Sequence, residues 1–242
     1  MAGKIYIGTS GWTYSHWKGV FYPADFFERK WLEYYAKHFD TVELNASFYR
    51  LPRAQTFINW RERTPENFLF AVKASRFITH VKRLNDCKEP WEVFISRVKK
   101  LKEKLGPILF QLSPSMKVDI KRLESFLKIL PKDYRYAVEP RHESWFDEEI
   151  YKILKKYNVA LCIADSPEFP TAEVVTADFI YIRFHGGKIL YGSRYNKKEM
   201  QEWAQKIKKW TKAGLDVHAY FNNDASGYAV ENAEELKKLL NS

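Results

Sequence analysis

Acidic, basic and imidazole side chains recur at short spacings in this chain. "AVEPRHESW" places Glu139 two residues before Arg141, "IRFHG" places Arg183 two before His185, "VELNAS" places Glu43 two before Asn45, and "AYFNND" carries Asn222. Carboxylates and a histidine that titrates near neutrality can take up and return protons. Guanidinium groups grip carboxylate or phosphate through paired N–H donors, and Lys73 in "FAVKAS" adds a point charge. Asn45, Gln111 in "ILFQLS" and Asn222 suit hydroxyls and carbonyls. A spacing of two puts both members of a pair on one face of an extended strand, so these pairs depend on the strands that carry them.

Short apolar runs alternate with amphipathic stretches from end to end. Strands are expected over 4–10, 41–47, 68–75, 107–113, 135–141, 159–165, 179–186 and 216–224. Helices are expected near 27–38, 54–62, 91–105, 119–130, 147–157, 198–213 and 227–240, with an irregular connection over 166–178. Asp119 reads as an N-cap, Asn196 with Glu199 as a capping box, and Gly106-Pro107 as a helix stop. Strands alternating with helices imply parallel βαβ units, and at about thirty residues per unit they fill residues 1–242 as one domain. No Gly-x-Gly-x-x-Gly or Walker loop opens a helix, which removes the main argument for a dinucleotide-binding sheet. The expected fold is α/β, a single (β/α)8 barrel of the triosephosphate-isomerase (TIM) type.

In such a barrel alternate residues of each strand point inward. Val42 and Leu44, Phe70 and Val72, Ile108 and Phe110, Val138, Ile180 and Ile182, and Val217 and Ala219 then face the helices. Glu43, Asn45, Lys73, Gln111, Glu139, Arg183, His185 and Asn222 remain inside, near the C-terminal ends where these barrels carry their active sites. Asp165, on the same face as Leu161 and Ile163, is counted with them as the acid of the sixth strand. Glu43, Glu139, Asp165 and His185 are the candidates for proton transfer. Trp12, Tyr14, Asn45, Lys73, Gln111, Arg141, Arg183 and Asn222 are the candidates for substrate binding, with the aromatic first loop "SGWTYSHWKGVFYP" walling the pocket and its Phe21 and Tyr22 packed. Gly186-Gly187 stands where a backbone anion site would lie, and His80 and His142 are loop histidines in reach of the mouth. His218 is read as a core histidine. The plainer reading of the whole set is a group of polar side chains that satisfy one another; a buried charged ring costs stability unless fully paired.

Seven segments, "IGTSGWTYSHWKGVFYP", "VELNASFYRLP", "FAVKASRFITH", "ILFQLSPS", "YAVEPRHESW", "IRFHG" and "AYFNND", occur in this order along the chain. Together they resemble the domain-of-unknown-function seventy-two family. The resemblance spans the whole chain and implies a barrel related to the TIM type. It implies no activity, so function rests on the residues.

The formal net charge is +10, with lysines interleaved with glutamates on the expected helices as in "RVKKLKEKL". That pattern is a solvated face, and with only four glutamines it suits a heat-adapted protein. The chain is 45% hydrophobic and 17% aromatic, enough to build a sizeable core. No apolar run reaches a membrane span, and the first residues show no leader. Cys87 and Cys162 form neither a disulfide framework nor a metal spacing, so a cytoplasmic setting is expected. The expected function is an enzyme, an isomerase, lyase or hydrolase, acting on a small anionic, sugar-phosphate-like molecule. A nucleic-acid-binding or -processing protein is the alternative, on net charge and loop aromatics. A metal-dependent hydrolase is a further one. No cofactor is expected; a divalent metal held by Glu43, Glu139, Asp165 and His185 is conceivable on paper, against the opposition of the nearby cations.

Overall fold

A computed structural model describes residues 2–241. In chain order its elements are β1 (Ile5–Thr9), α1 (Trp31–His38), β2 (Thr41–Leu44), α2 (Ala46–Tyr49), α3 (Ala54–Glu62), β3 (Leu69–Lys73), α4 (Lys88–Val98), β4 (Leu105–Gln111), α5 (Ile120–Lys128) and β5 (Tyr136–Glu139). They continue with α6 (Glu148–Lys156), β6 (Val159–Leu161), β7 (Ile163–Asp165), β8 (Phe179–Phe184), α7 (Lys197–Lys212), β9 (Asp216–Phe221) and α8 (Tyr228–Asn241). Asp119 accepts from the Arg122 N–H as the expected N-cap, and Asn196 and Glu199 form the reciprocal capping box. The helix stop expected at Gly106-Pro107 falls elsewhere. The helical segment ends at Lys104, and Gly106 already belongs to β4, where a Cβ would lie 3.2 Å from the Phe70 carbonyl oxygen. Glycine there lets β3 and β4 approach at their register shift. Four short elements lie outside the sequence expectation: 3₁₀ turns over Ser15–Trp17 and Glu143–Trp145, α2, and a π-helical turn over Phe77–Val81, the last two just past the ends of β2 and β3.

The strands form two parallel sheets, ordered β1-β9-β8-β7 and β2-β3-β4-β5-β6, covered by helices. β6 and β7 are one stretch interrupted at Cys162, whose N–H donates to the Val138 carbonyl at 2.8 Å and extends the pairing with β5. Among the described residues no ladder joins β1 to β2, so the hydrogen-bonded sheets do not close into the ring expected from the sequence. The two edges nevertheless touch. A Cβ on Gly8 would stand 2.2 Å from the Thr41 carbonyl oxygen, a contact only glycine allows. The Tyr35 hydroxyl spans the seam in place of a ladder: it accepts from the Thr9 N–H at 2.9 Å and donates to the Thr41 carbonyl at 3.1 Å.

The face assignment read from strand alternation agrees with the packing. Val42, Leu44, Phe70, Val72, Ile108, Phe110, Val138, Ile180, Ile182, Val217 and Ala219 belong to the large apolar cluster shared with the helices. Ala71, Leu109, Ala137, Ala160, Cys162, Tyr181 and Tyr220 form a smaller cluster drawn from both sheets. Polar side chains continue this second face toward the C-terminal strand ends. Among the described residues no helix is long and apolar enough to cross a membrane.

Tyr35→Phe strands the buried Thr9 N–H and should cost about 1–3 kcal/mol, read as a lower urea midpoint at unchanged slope. An unaltered midpoint would show that the seam does not depend on this hydroxyl.

Candidate functional site

The polar strand ends are arranged in two tiers. The lower tier is built on Arg183. Its strand, β8, places the side chain among residues of the other sheet, and the guanidinium joins two carboxylates there. Nη2 donates to Glu43 Oε1 on β2 at 2.8 Å, and Nη1 donates to Glu139 Oε2 on β5 at 2.6 Å. All three side chains are at most 1% exposed. Glu43 also accepts from the Tyr181 hydroxyl at 2.7 Å and the Ser10 hydroxyl at 2.8 Å. Glu139 accepts from Arg141 Nε at 3.1 Å and from Gln111 Nε2, its register partner on β4, at 3.2 Å. Burial alone would raise both carboxyl pKa values; Arg183 and the other donors overcome it and hold Glu43 below, and Glu139 well below, the ordinary 4.5.

His185 completes this tier. Its Nε2 lies 3.3 Å from Glu139 Oε1, and Nδ1 lies 3.2 Å from Asn222 Nδ2. Burial drives the imidazole pKa down to about 4 against the opposing pull of Glu139, so the ring is neutral at physiological pH.

The upper tier is an open cavity of about 760 Å³ at the C-terminal strand ends. Of the residues expected from the sequence, Tyr14, Asn45, Lys73, Gln111, Arg141, Arg183 and Asn222 line it. Glu43, Glu139 and His185 lie beneath its floor, fully buried. Lys73 is 7% exposed, with its Nζ 4.1 Å from the centre of the Phe48 ring, and that Nζ has no ion-pair or hydrogen-bond partner among the described residues. Burial, reinforced by Arg183 and opposed by Glu139 and Glu43, lowers its pKa to about 7. Arg141 stacks its guanidinium 4.1 Å from the centre of the Phe169 ring and donates to the Tyr191 hydroxyl at 3.2 Å.

Two residues expected in the cavity lie elsewhere. Asp165 points away from it: its Oδ2 accepts from Trp203 Nε1 on α7 at 2.7 Å, and burial raises its pKa. The alternation explains why, since Asp165 shares the helix-facing side with Leu161 and Ile163, and Cys162 takes the inner side. Trp12 is also turned away, packed edge-on against Trp60 at 5.4 Å in the helix-side core, while Tyr14 faces the cavity. The Gly186 N–H expected to meet an anion is taken by the Tyr195 hydroxyl at 3.0 Å. His80 lines the cavity, His142 instead caps a short 3₁₀ turn, and His218 stacks on Tyr6 at 4.7 Å in the core.

Asp224, His16, Arg76 and Tyr49 line the cavity without having been expected there. Asp224 accepts from Trp17 Nε1 at 2.7 Å and lies 3.0 Å from His16 Nε2; burial raises its pKa to about 6. The only sequence signal for it is the polar run "NND" after the last strand. Tyr49 ends α2 and Arg76 stands at the N-cap of the π-helical turn, two short elements that periodicity does not show. Among the described residues no group of three or more His, Cys, Asp or Glu is disposed to hold a metal. Asp165 is on the wrong face, and Arg183 occupies the space between Glu43 and Glu139.

The chain matches, over residues 6–242, the family described as "Protein of unknown function DUF72". It is 30% identical to the UPF0759 protein YunF of Bacillus subtilis, covering 98% of this chain and 94% of that protein. It is 28% identical to the UPF0759 protein YecE of Escherichia coli strain K12, covering 85% of this chain and 82% of that protein. A DUF72 family protein of Thermotoga maritima superposes with a TM-score of 0.90 at 32% identity, over 99% of this chain and 100% of that one. The fold is also that of a DUF72 family protein of Enterococcus faecalis, with a TM-score of 0.84 at 24% identity over 98% of this chain and 96% of that one. The chain belongs to the DUF72 family.

Arg183→Met leaves two buried carboxylates without their shared cation and should destabilise the protein by about 3–5 kcal/mol. As pH falls from 6.5 toward about 4, the buried, neutral His185 and His218 should each cost the wild type stability, because the unfolded chain binds protons that they do not, while Asp224 takes up its proton before the unfolded chain does and offsets part of the loss. Below 4.5 the depressed Glu43 and Glu139 add to the loss, as the unfolded carboxylates protonate first. Chemical denaturation at stepped pH measures both effects. Equal stability of the variant, or no loss of wild-type stability below pH 4.5, would contradict the paired floor.

Proposed function

We propose that this DUF72 family member is an enzyme acting on a small, hydroxylated anion of sugar-phosphate type in the cavity at the C-terminal strand ends, and that its two sheets work as a single TIM-type barrel. One observation carries the reading. The carboxylates nearest the cavity, Glu43 and Glu139, are spent on Arg183 and Arg141, which leaves Arg76, joined by Lys73 when it is protonated, with Asp224 as the one acid among the described residues of the lining. A surface of that kind attracts an anion.

Arg141 and Arg76 are the groups for a phosphate or carboxylate. Asn222 and Gln111 reach hydroxyls. Two polar atoms of the lining lack any partner: Asn45 Oδ1 is a spare acceptor and Arg183 Nε a spare donor, and a bound hydroxylated molecule satisfies both. Proton transfer falls to the groups that face the cavity and titrate near neutrality, Lys73 at about 7 and Asp224 at about 6. Glu43, Glu139 and His185 then hold the cations in place instead of touching substrate, and Asp165 has no part. A nucleic-acid partner is the second reading, favoured by Tyr49, 73% exposed at the cationic mouth beside Arg76 and shaped to stack a base.

Thermal melting of the full chain tests both. Phosphate, sugar phosphates and hydroxy acids should raise the melting temperature, neutral sugars should not, and Arg141→Met should weaken the effective anion about tenfold or more. If an oligonucleotide stabilises the protein instead, with an affinity that falls steeply with salt, the second reading replaces the first. No anion-dependent shift at all would contradict the anion site.

A further inference from the structure

We infer that Lys73 is a covalent carbonyl-trapping amine and that the substrate class is a small anionic aldehyde or ketone, held as an imine between its carbonyl carbon and Lys73 Nζ. This rests on the anion site proposed above and adds to it the functional group that must accompany the anion.

A second buried lysine in the same protein shows what an ordinary structural lysine looks like. Lys104 is 5% exposed and saturated: its Nζ donates to the carbonyls of Arg61 at 2.6 Å and Thr64 at 2.7 Å and to the Thr64 hydroxyl at 3.2 Å. Lys73 is buried to nearly the same degree and has none of these partners. It stands at the end of β3 and lines the cavity, with its Nζ over the face of the Phe48 ring. The carboxylates that would have paired with it are already engaged by Arg183 and Arg141. Burial and two guanidinium groups oppose the charge of an amine so placed and outweigh the pull of Glu139 and Glu43, with the Phe48 ring face as the contact left to the ammonium. An arginine there would have bound an anion better; a lysine that sheds its proton is suited to attack.

The step balances without a further reactant. The neutral amine attacks the carbonyl carbon, the C–N bond forms, and the C=O π pair moves onto oxygen. Both N–H protons pass to that oxygen, the C–O bond breaks, and water leaves as C=N forms. Arg141 and Arg76 are placed to hold the anionic end of the molecule while the carbonyl meets Lys73.

Trapping on the full chain tests this. The protein is incubated with pyruvate, glycolaldehyde phosphate or dihydroxyacetone phosphate and reduced with borohydride, whose hydride converts C=N to a stable secondary amine. Peptides are then mapped by mass. At pH 7 an ordinary lysine has a neutral fraction about 10³-fold smaller than a lysine titrating at 7, so one adduct on Lys73 should dominate over all surface lysines by more than about tenfold. Its extent should rise through pH 7, and Lys73→Arg should reduce total labelling to the level of the other lysines. The wild-type map stands by itself if that variant fails to fold. Labelling scattered over surface lysines, or unchanged in Lys73→Arg, overturns the inference. Anion-dependent melting shifts with no Lys73 adduct from any of these carbonyls overturn it while leaving the anion site intact; no shift and no adduct overturn both.

Discussion

The site depends on a single guanidinium. Arg183 leaves β8 in one sheet and closes ion pairs with Glu43 on β2 and Glu139 on β5 in the other, all three nearly or fully buried. A buried pair of this kind is poor evidence of stability in itself, since well-packed apolar residues of similar volume often serve as well. Removing one partner is a different matter, because the survivor is a charge without water. Arg183 therefore constrains its neighbours: once it is present, both carboxylates must be there and ionised, and Tyr181, Ser10, Gln111 and Arg141 must bring donors to their remaining lone pairs.

That constraint determines the character of the cavity above. Carboxylates committed to the floor cannot neutralise the cations at the opening. Lys73 Nζ is left over the Phe48 ring with no acceptor among the described residues, and Arg76 faces solvent. His185, sealed beneath with Arg183 and Arg141 opposing its charge, stays neutral, its Nδ1 3.2 Å from Asn222 Nδ2 and its Nε2 3.3 Å from Glu139 Oε1. Lys73 and Asp224, an amine and a carboxyl in the cavity lining, have pKa values that burial moves in opposite directions toward neutrality. Converging pKa values of an acid and a base across one cavity are what proton transfer at neutral pH requires.

Much of this is legible in strand alternation. The period of two separates Val42 and Leu44 from Glu43, and Ile180 and Ile182 from Arg183, so the inward polar residues are readable without coordinates. The placement expected for Asp165 breaks that same rule, because it weighs an acid at a strand end above its parity with Leu161 and Ile163. Trp12 is expected in the pocket on residue type alone, although an aromatic loop also offers material for the core, and Trp60 supplies the partner. Arg76, Tyr49, His16 and Asp224 lie in loops or in elements too short to show a period. The division into a paired floor and an open cavity is not readable either: the inward residues are the same whichever carboxylate meets which cation, and only their separation in space decides which charges are spent. The approach of the β1 and β2 edges is a matter of local contacts too, a glycine at position 8 and one tyrosine hydroxyl at the seam.

The most direct test of the central claim is an NMR pH titration of the lysine side-chain resonances, with Lys73 assigned by its loss in Lys73→Arg. This one lysine is expected to titrate near pH 7, well below the ordinary 10.5. A Lys73 that keeps its proton to pH 10 would mean that its charge is paired or solvated after all, and would contradict the division between a neutralised floor and an amine left free above it.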